Sequence, residues 1–89
     1  MSCDVLIYTT QVCPYCVRAK ALLDRKGVAY REVDISNDRE LEQEMIRLTK
    51  KMTVPQILID GKPIGGCDEL YALEGKNELD SLLNGGNES

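Results

Sequence analysis

The sequence contains no histidine, no tryptophan and no phenylalanine, and four tyrosines are its only aromatic residues. Without histidine, the chain has no imidazole to act as a general base or as a metal ligand. Its core must be aliphatic. No apolar run approaches the length of a membrane-spanning helix. The start, MSCDVLIY, has no basic segment before its short apolar stretch, so we expect no signal peptide and a location in the reducing cytoplasm.

Length and charge narrow the class of protein further. The chain has 89 residues, which fits one small domain, and 43% of them are hydrophobic, which is enough for a core. A net charge of −4 disfavours a nucleic acid as the main partner. We expect residues 1–84 to form the domain and residues 85–89, a polar and glycine-containing end, to be disordered.

The pattern of apolar residues predicts an α/β fold. Two short strands separated by a helix imply a parallel pair, and Asp60-Gly61 is a hairpin signal that adds an antiparallel edge strand containing Pro63. The result is a mixed four-stranded sheet flanked by helices. Strands are predicted at 5–8, 29–35 and 57–59 and after the hairpin, and helices over 14–26, from position 37 or 38 onward, and in one or two closing segments with a break at Gly75.

The second helix is predicted from its cap and from one apolar stripe. Ser36 or Asn37 is the expected N-cap, since Asn37 and Glu40 have the spacing of a capping box. The stripe follows the helical repeat and predicts a buried face formed by Leu41, Met45, Leu48 and Met52.

The cysteines could bind a metal, form a permanent disulfide or exchange electrons with another protein. There are four of them: Cys3, Cys13, Cys16 and Cys67. A structural zinc site is disfavoured because there is one C-x-x-C half and no histidine to complete it. A permanent disulfide between Cys13 and Cys16 would close too small a loop to stabilise the fold much. A C-x-x-C between a strand and a helix is typical of redox proteins, so we favour thiol–disulfide exchange.

The predicted position of Cys13 supports this interpretation. At the helix N-cap its sulfur faces unpaired backbone N–H groups and the positive end of the helix dipole, which favour a thiolate. Arg18 and Lys20 are cations that could add to this effect. Cys13 is therefore the expected nucleophile and Cys16, one turn into the helix, the expected resolving thiol. Pro14 suits the first helical position because it has no N–H to leave unpaired.

The sequence resembles the glutaredoxins of the dithiol class, and it is closest to the small bacterial members. The resemblance spans nearly the whole chain. It is carried by CPYC at 13–16, Thr53-Val54-Pro55, Gly65-Gly66-Cys67-Asp68, IYT at 7–9 and RAKALL at 18–23.

The resemblance implies a thioredoxin-like fold, a cis proline at Pro55 and glutathione as co-substrate, with no tightly bound cofactor and no metal. It implies a monomer that reduces disulfide-bonded or glutathionylated proteins, ribonucleotide reductase among them. It implies neither a nucleic acid nor a membrane as a partner. A residue before proline is extended, so Val54 could pair with the peptide as an added strand does. The glutathione-binding residues implied are Tyr15, Lys51, Thr53, Val54, Pro55, Gly66, Cys67 and Asp68.

One departure from the family pattern concerns charge. Many members carry a lysine or arginine just before the active site, where this chain has Thr10 and Gln11. The glycyl carboxylate of glutathione then needs another cation. Lys51 is the nearest candidate, and Lys50 and Lys20 are the alternatives. Two other functions stay open: a thioredoxin-like donor reduced directly by a flavoprotein reductase, and an iron–sulfur module bridged by Cys13 and glutathione.

Overall fold

The computed structural model of the chain describes residues 4–11 and 13–83. The predicted disordered tail at 85–89 lies outside the described residues, as does Cys3. Across the described ranges, no helix is both long enough and apolar enough to span a membrane. The elements are β1 (Val5–Thr9), α1 (Pro14–Arg25), β2 (Arg31–Asp34), α2 (Arg39–Thr49), β3 (Gln56–Ile59), β4 (Lys62–Gly65), α3 (Cys67–Gly75) and α4 (Leu79–Leu83).

The predicted mixed sheet is confirmed, with strand order β2-β1-β3-β4. β1 is parallel to β2, as expected for a strand–helix–strand unit, and β3 is antiparallel to β4, as expected for a hairpin. β1 also pairs with β3 in the antiparallel direction. The turn between β3 and β4 places Asp60 at φ 54° and Gly61 at φ 80°, the backbone that an Asp-Gly hairpin turn requires. β4, which contains Pro63, is an edge strand, as predicted.

Both faces of the sheet are covered, and each has its own apolar core. On one face, β1 and β3 pack against α1, α3 and α4 through Leu22, Leu70 and Leu79, all fully buried. On the other face a smaller core joins Tyr8, Met45 and their neighbours under α2. The core is therefore mostly aliphatic, as predicted, with Tyr8 as its buried aromatic residue among those described.

The predicted apolar stripe of α2 is wrong in its second half. Met45 is fully buried, but Leu48 is 40% exposed and Met52 is 74% exposed. The helix ends at Thr49 because Lys50 takes the left-handed conformation, with φ 62°, and turns the chain away. Thr49 fills the inner face instead, and its hydroxyl donates to the carbonyl of Met45 at 2.8 Å.

The predicted cap of α2 is also wrong by one or two residues. Asp38 is the N-cap, and its carboxylate accepts a hydrogen bond from the N–H of Leu41 at 3.1 Å. Ser36 is used elsewhere: its hydroxyl accepts from the N–H of Gln11 at 2.8 Å, while its own N–H donates to Asp34 at 2.8 Å. The cap residue is thus shifted because Ser36 ties the start of α2 to the loop that leads to α1.

Candidate active site

Cys13 lies at the N-cap of α1, as the sequence predicts. Its backbone is extended, with φ −153° and ψ 100°, and its Sγ accepts a hydrogen bond from the N–H of Cys16 at 3.2 Å. Pro14 follows as the first helical residue. The Cys13 side chain is only partly buried. A sulfur atom held by a helix N–H and still reachable from solvent is suited to attack a disulfide.

Cys16 is in a different environment although it lies one turn away. It is 2% exposed, and burial raises the pKa of its thiol to about 12, with contributions from its hydrogen bond to Cys13 and from the charge of Cys13. Lys20 opposes this shift. Cys16 is therefore a thiol in the reduced protein, while Cys13 is the accessible sulfur of the pair.

The two cations suggested to assist Cys13 are engaged elsewhere. Lys20 forms an ion pair with Glu32 at 2.9 Å, and Glu32 also accepts from the hydroxyl of Thr9, which is 1% exposed. The guanidinium of Arg18 lies over the ring of Tyr71, 5.8 Å from its centroid. Both side chains thus fix α1 against β2 and α3. Among the described residues, the nitrogen that donates a hydrogen bond to Cys13 Sγ is the backbone N–H of Cys16.

A pocket of about 220 Å³ is formed near the start of α1, by Tyr15, the loop before β3 and the first residues of α3. Cys13 Sγ lies 3.9 Å from the carbonyl oxygen of Val54, which forms part of the pocket wall. The Val54–Pro55 peptide is cis. The structure brings together around this pocket all eight residues that the sequence nominated for glutathione: Tyr15, Lys51, Thr53, Val54, Pro55, Gly66, Cys67 and Asp68.

The double glycine lets two distant segments meet at this pocket. A Cβ on Gly66 would lie 3.0 Å from the carbonyl oxygen of Pro55, and a Cβ on Gly65 would overlap the side chain of Glu69 at 2.7 Å. Gly65 also has φ 122°, a backbone that other residues rarely adopt. Gly65 and Gly66 thus allow the start of α3 to approach the loop at Pro55, which closes one side of the pocket.

Glu69 belongs to the site and was missed from the sequence. Its carboxylate accepts a hydrogen bond from the N–H of Gly66 at 2.8 Å, and this bond, with the nearby charge of Lys51, holds the pKa of Glu69 below its usual range. Gly66 is the N-cap of α3 and Glu69 is three residues later, the spacing of a capping box. That spacing could have found it. The carboxylate fixes the glycine turn and stands in the pocket wall.

Cys67 and Asp68 begin α3 and differ in exposure. Cys67 is 5% exposed, and burial raises the pKa of its thiol. It therefore meets the pocket as a protonated, weakly reactive group. Asp68 is exposed at the pocket edge. Its carboxylate is free of the capping role, which Glu69 takes, and it remains open to a cation from solution.

The sheet order and the C-x-x-C at the start of α1 define a class of protein, the thiol–disulfide oxidoreductases of thioredoxin-like fold. Comparison with known proteins narrows the class. The glutaredoxin family model matches residues 5–64, and the chain belongs to the glutaredoxin family. Its activity is therefore glutathione-dependent thiol–disulfide exchange.

Individual relatives agree over nearly the full length. Glutaredoxin 3 of Escherichia coli is 52% identical over 80 residues, which are 90% of this chain and 96% of the relative. The solution structure of glutaredoxin from Brucella melitensis has a TM-score of 0.84 and 51% identity, and the match covers 99% of this chain and 96% of that one. A buckwheat glutaredoxin–glutathione complex has a TM-score of 0.86 and 26% identity, covering 94% and 79%.

Within 4–11 and 13–83, no group of three or more histidine, cysteine, aspartate or glutamate side chains is close enough together to hold a metal ion.

Proposed function

We propose that Cys13 is the nucleophile, that Cys16 is the resolving thiol, and that the pocket beside them binds glutathione. One observation carries the proposal. The accessible sulfur of Cys13 lies 3.9 Å from the carbonyl oxygen of Val54. Val54 in turn lines a pocket formed by segments far apart in sequence. A tripeptide disulfide bound there would have its sulfur next to Cys13.

The charges around the pocket support one orientation of the tripeptide. Asp68 at the start of α3 suits the γ-glutamyl ammonium, and the helix start suits the carboxylate beside it. Lys51 lies in the loop before Val54 and suits the glycyl carboxylate. The cysteinyl unit would then pair with the backbone of Val54 in the manner of an added strand.

The simplest reaction needs Cys13 alone. Its thiolate attacks the glutathione sulfur of a mixed disulfide, a bond forms between Cys13 and glutathione, and the client thiolate leaves and takes a proton from solvent. The thiolate of a second glutathione then attacks the bound glutathione sulfur. Oxidised glutathione leaves, and Cys13 returns to the thiolate.

Protein disulfides require Cys16 as well. Cys13 attacks one sulfur of the client disulfide, and Cys16 then attacks Cys13, which releases the client as a dithiol and leaves a Cys13–Cys16 disulfide. Two glutathione molecules reduce that disulfide and leave as oxidised glutathione. Two of the causes that raise the pKa of Cys16, its hydrogen bond to Cys13 and the charge of Cys13, disappear once Cys13 is bonded. Cys16 is thereby activated at the step that needs it.

The pH dependence of this intramolecular step provides a test. Burial is the largest cause of the raised pKa of Cys16, and it persists in the mixed disulfide. With the Cys13–glutathione mixed disulfide formed and free glutathione removed, release of glutathione by Cys16 should accelerate about tenfold per pH unit and continue to rise beyond about pH 8.5, where a solvated thiol levels off. Rapid quenching and chromatography measure it. A plateau near about pH 8.5 would contradict the role given to burial.

Lys51 should contribute to glutathione binding through its charge. An exposed ion pair is worth about 0.2–1 kcal/mol, so Lys51→Ala should raise the KM for a glutathione mixed disulfide by up to about fivefold. The effect should shrink at high salt. Lys50→Ala is the matched control: it removes the same charge from the neighbouring residue, whose ammonium donates to the carbonyl of Arg47 at 3.2 Å. Equal effects of the two variants would place the glycyl carboxylate elsewhere.

The clients that we propose are glutathionylated proteins and protein disulfides, with ribonucleotide reductase among them, on the basis of family membership. We also propose that the chain acts as a monomer in the cytoplasm, where reduced glutathione is abundant. Residues 1–84 are proposed to form one domain. In support, α3 and α4 share the core of the segment that matches the family model.

A coupled assay tests whether glutathione is the reductant of the proposed Cys13–Cys16 site. The substrate is a small mixed disulfide of glutathione, and NADPH oxidation is followed with glutathione and glutathione reductase, or with thioredoxin reductase alone. Turnover is expected only in the first mixture. Turnover with thioredoxin reductase alone would overturn the proposal in favour of a thioredoxin-like donor.

A further inference from the structure

The side chain of Gln56 is a buried polar group in the lining of the pocket. Gln56 is the first residue of β3, is 4% exposed and forms part of the pocket lining. Its Nε2 donates a hydrogen bond to the hydroxyl oxygen of Thr53 at 3.2 Å. Its Oε1 has no partner, and it is the one buried side-chain oxygen or nitrogen in that condition among residues 4–11 and 13–83.

Stability alone does not account for glutamine at this position. A buried carbonyl oxygen without a donor destabilises the fold, because it has lost its hydrogen bonds to water. An unbranched apolar side chain of similar length would fill the same space without that cost. An unsatisfied polar group in a folded protein calls for a functional explanation, and the neighbouring pocket offers one.

The hydrogen bond to Thr53 determines what the threonine hydroxyl can do. A hydroxyl group has one hydrogen to donate and two lone pairs. Because Nε2 of Gln56 donates to one lone pair, the hydrogen of Thr53 Oγ1 is left for another acceptor. Thr53 is exposed and lies in the pocket wall between Lys51 and Val54. A hydroxyl donor beside an ammonium group fits a carboxylate.

We propose that Gln56 is a positioning residue that holds the hydroxyl of Thr53 as a donor to the glycyl carboxylate of glutathione. The inference rests on the proposed function, since it requires glutathione in this pocket. The glycyl end is assigned because Lys51 and Thr53 precede Val54, whereas the residues suited to the γ-glutamyl end begin α3 on the other side. Gln56 would act through Thr53 rather than by touching the reacting sulfur.

Gln56→Met is the variant that separates this role from a structural one. The KM for a glutathione mixed disulfide should rise about threefold to tenfold, as for the loss of one hydrogen bond, with kcat unchanged. The KM for the corresponding mixed disulfide of γ-glutamylcysteine, which lacks the glycyl carboxylate, should not change. The melting temperature should stay the same or rise, because the unpaired oxygen is gone. Gln56→Leu is a second variant with the same expectation.

A double-mutant cycle links the effect to Thr53. Thr53→Val should raise the same KM, and Gln56→Met added to it should have no further effect. Thr53→Ser, which keeps the hydroxyl, is the matched control and should retain the low KM. An unchanged KM in Gln56→Met and Gln56→Leu, or an equal rise for both disulfides, would overturn the role of Gln56.

A different set of results would show that the pocket does not bind glutathione at all. If the pocket does not bind glutathione, Thr53→Val and Lys51→Ala will also leave the KM unchanged, and the wild-type protein will not distinguish the glutathione from the γ-glutamylcysteine disulfide. If only the role of Gln56 is wrong, Thr53→Val and Lys51→Ala will still raise the KM for the glutathione disulfide. A lower melting temperature together with a lower kcat for both substrates would assign Gln56 to the fold and overturn the inference.

Discussion

Replacing Cys13 with serine should abolish thiol–disulfide exchange of every kind. We expect rates to fall by about a thousandfold or more with both glutathione mixed disulfides and protein disulfides, because both routes begin with attack by this sulfur. A serine hydroxyl is not ionised at neutral pH, and no histidine is present to remove its proton. The coupled assay with glutathione reductase measures the first route, and reduction of a disulfide-bonded client protein measures the second.

The fold should survive this substitution. Serine is a favoured N-cap residue, so its oxygen can accept the hydrogen bond that the N–H of Cys16 now donates to Cys13 Sγ. An unchanged circular dichroism spectrum and melting temperature would show this. Cys3→Ser provides the same chemical change outside the proposed site and should retain full activity. More than trace activity in Cys13→Ser would mean that another sulfur starts the reaction.

Replacing Cys16 with serine should separate the two routes. Removal of glutathione from a mixed disulfide should stay within about threefold of the wild-type rate, because free glutathione resolves the intermediate. Reduction of a protein disulfide should fall by about a hundredfold, since Cys13 alone leaves the client trapped as a mixed disulfide. The trapped complex should be visible as a band that disappears on reduction in gel electrophoresis.

Because Cys16 is buried, its replacement needs a control for structural damage. Cys16 is 2% exposed and its N–H bonds to Cys13 Sγ, so a poor substitution could disturb the start of α1 and slow both routes together. Cys16→Ala, which buries no hydroxyl, is the matched control. If both variants lose the two activities equally, Cys16 supports the position of Cys13 and its role as resolving thiol is wrong.

Features that depend on neighbours in sequence were predicted well. The N-cap at Cys13 and the hairpin at Asp60-Gly61 follow from local chemistry, and both occur where expected. The boundaries of α2 were predicted less well. Its start depends on Ser36, which is bonded to Gln11 across the fold, and its end depends on the left-handed conformation of Lys50. Neither is encoded in the apolar repeat.

The residues of the pocket were also predicted in part. Eight of its lining residues were nominated from the family resemblance, and the structure brings them together. The resemblance did not reveal Glu69, which holds the glycine turn, or Gln56, whose side chain is paired at one end and unpaired at the other. Both act through contacts with other residues of the site. Motifs identify the groups that meet a ligand more readily than the groups that orient them.

The assembly of the pocket from distant segments has a consequence during synthesis of the chain. Cys13 and Cys16 are made early, whereas the loop at Thr53–Pro55 and the turn at Gly65–Gly66 are made much later. The carbonyl of Pro55 and Gly66 come together only in the folded chain. A nascent chain that extends only through α1 therefore carries both cysteines of the dithiol without the pocket beside them. The pocket is complete only when the segment through the start of α3 has folded.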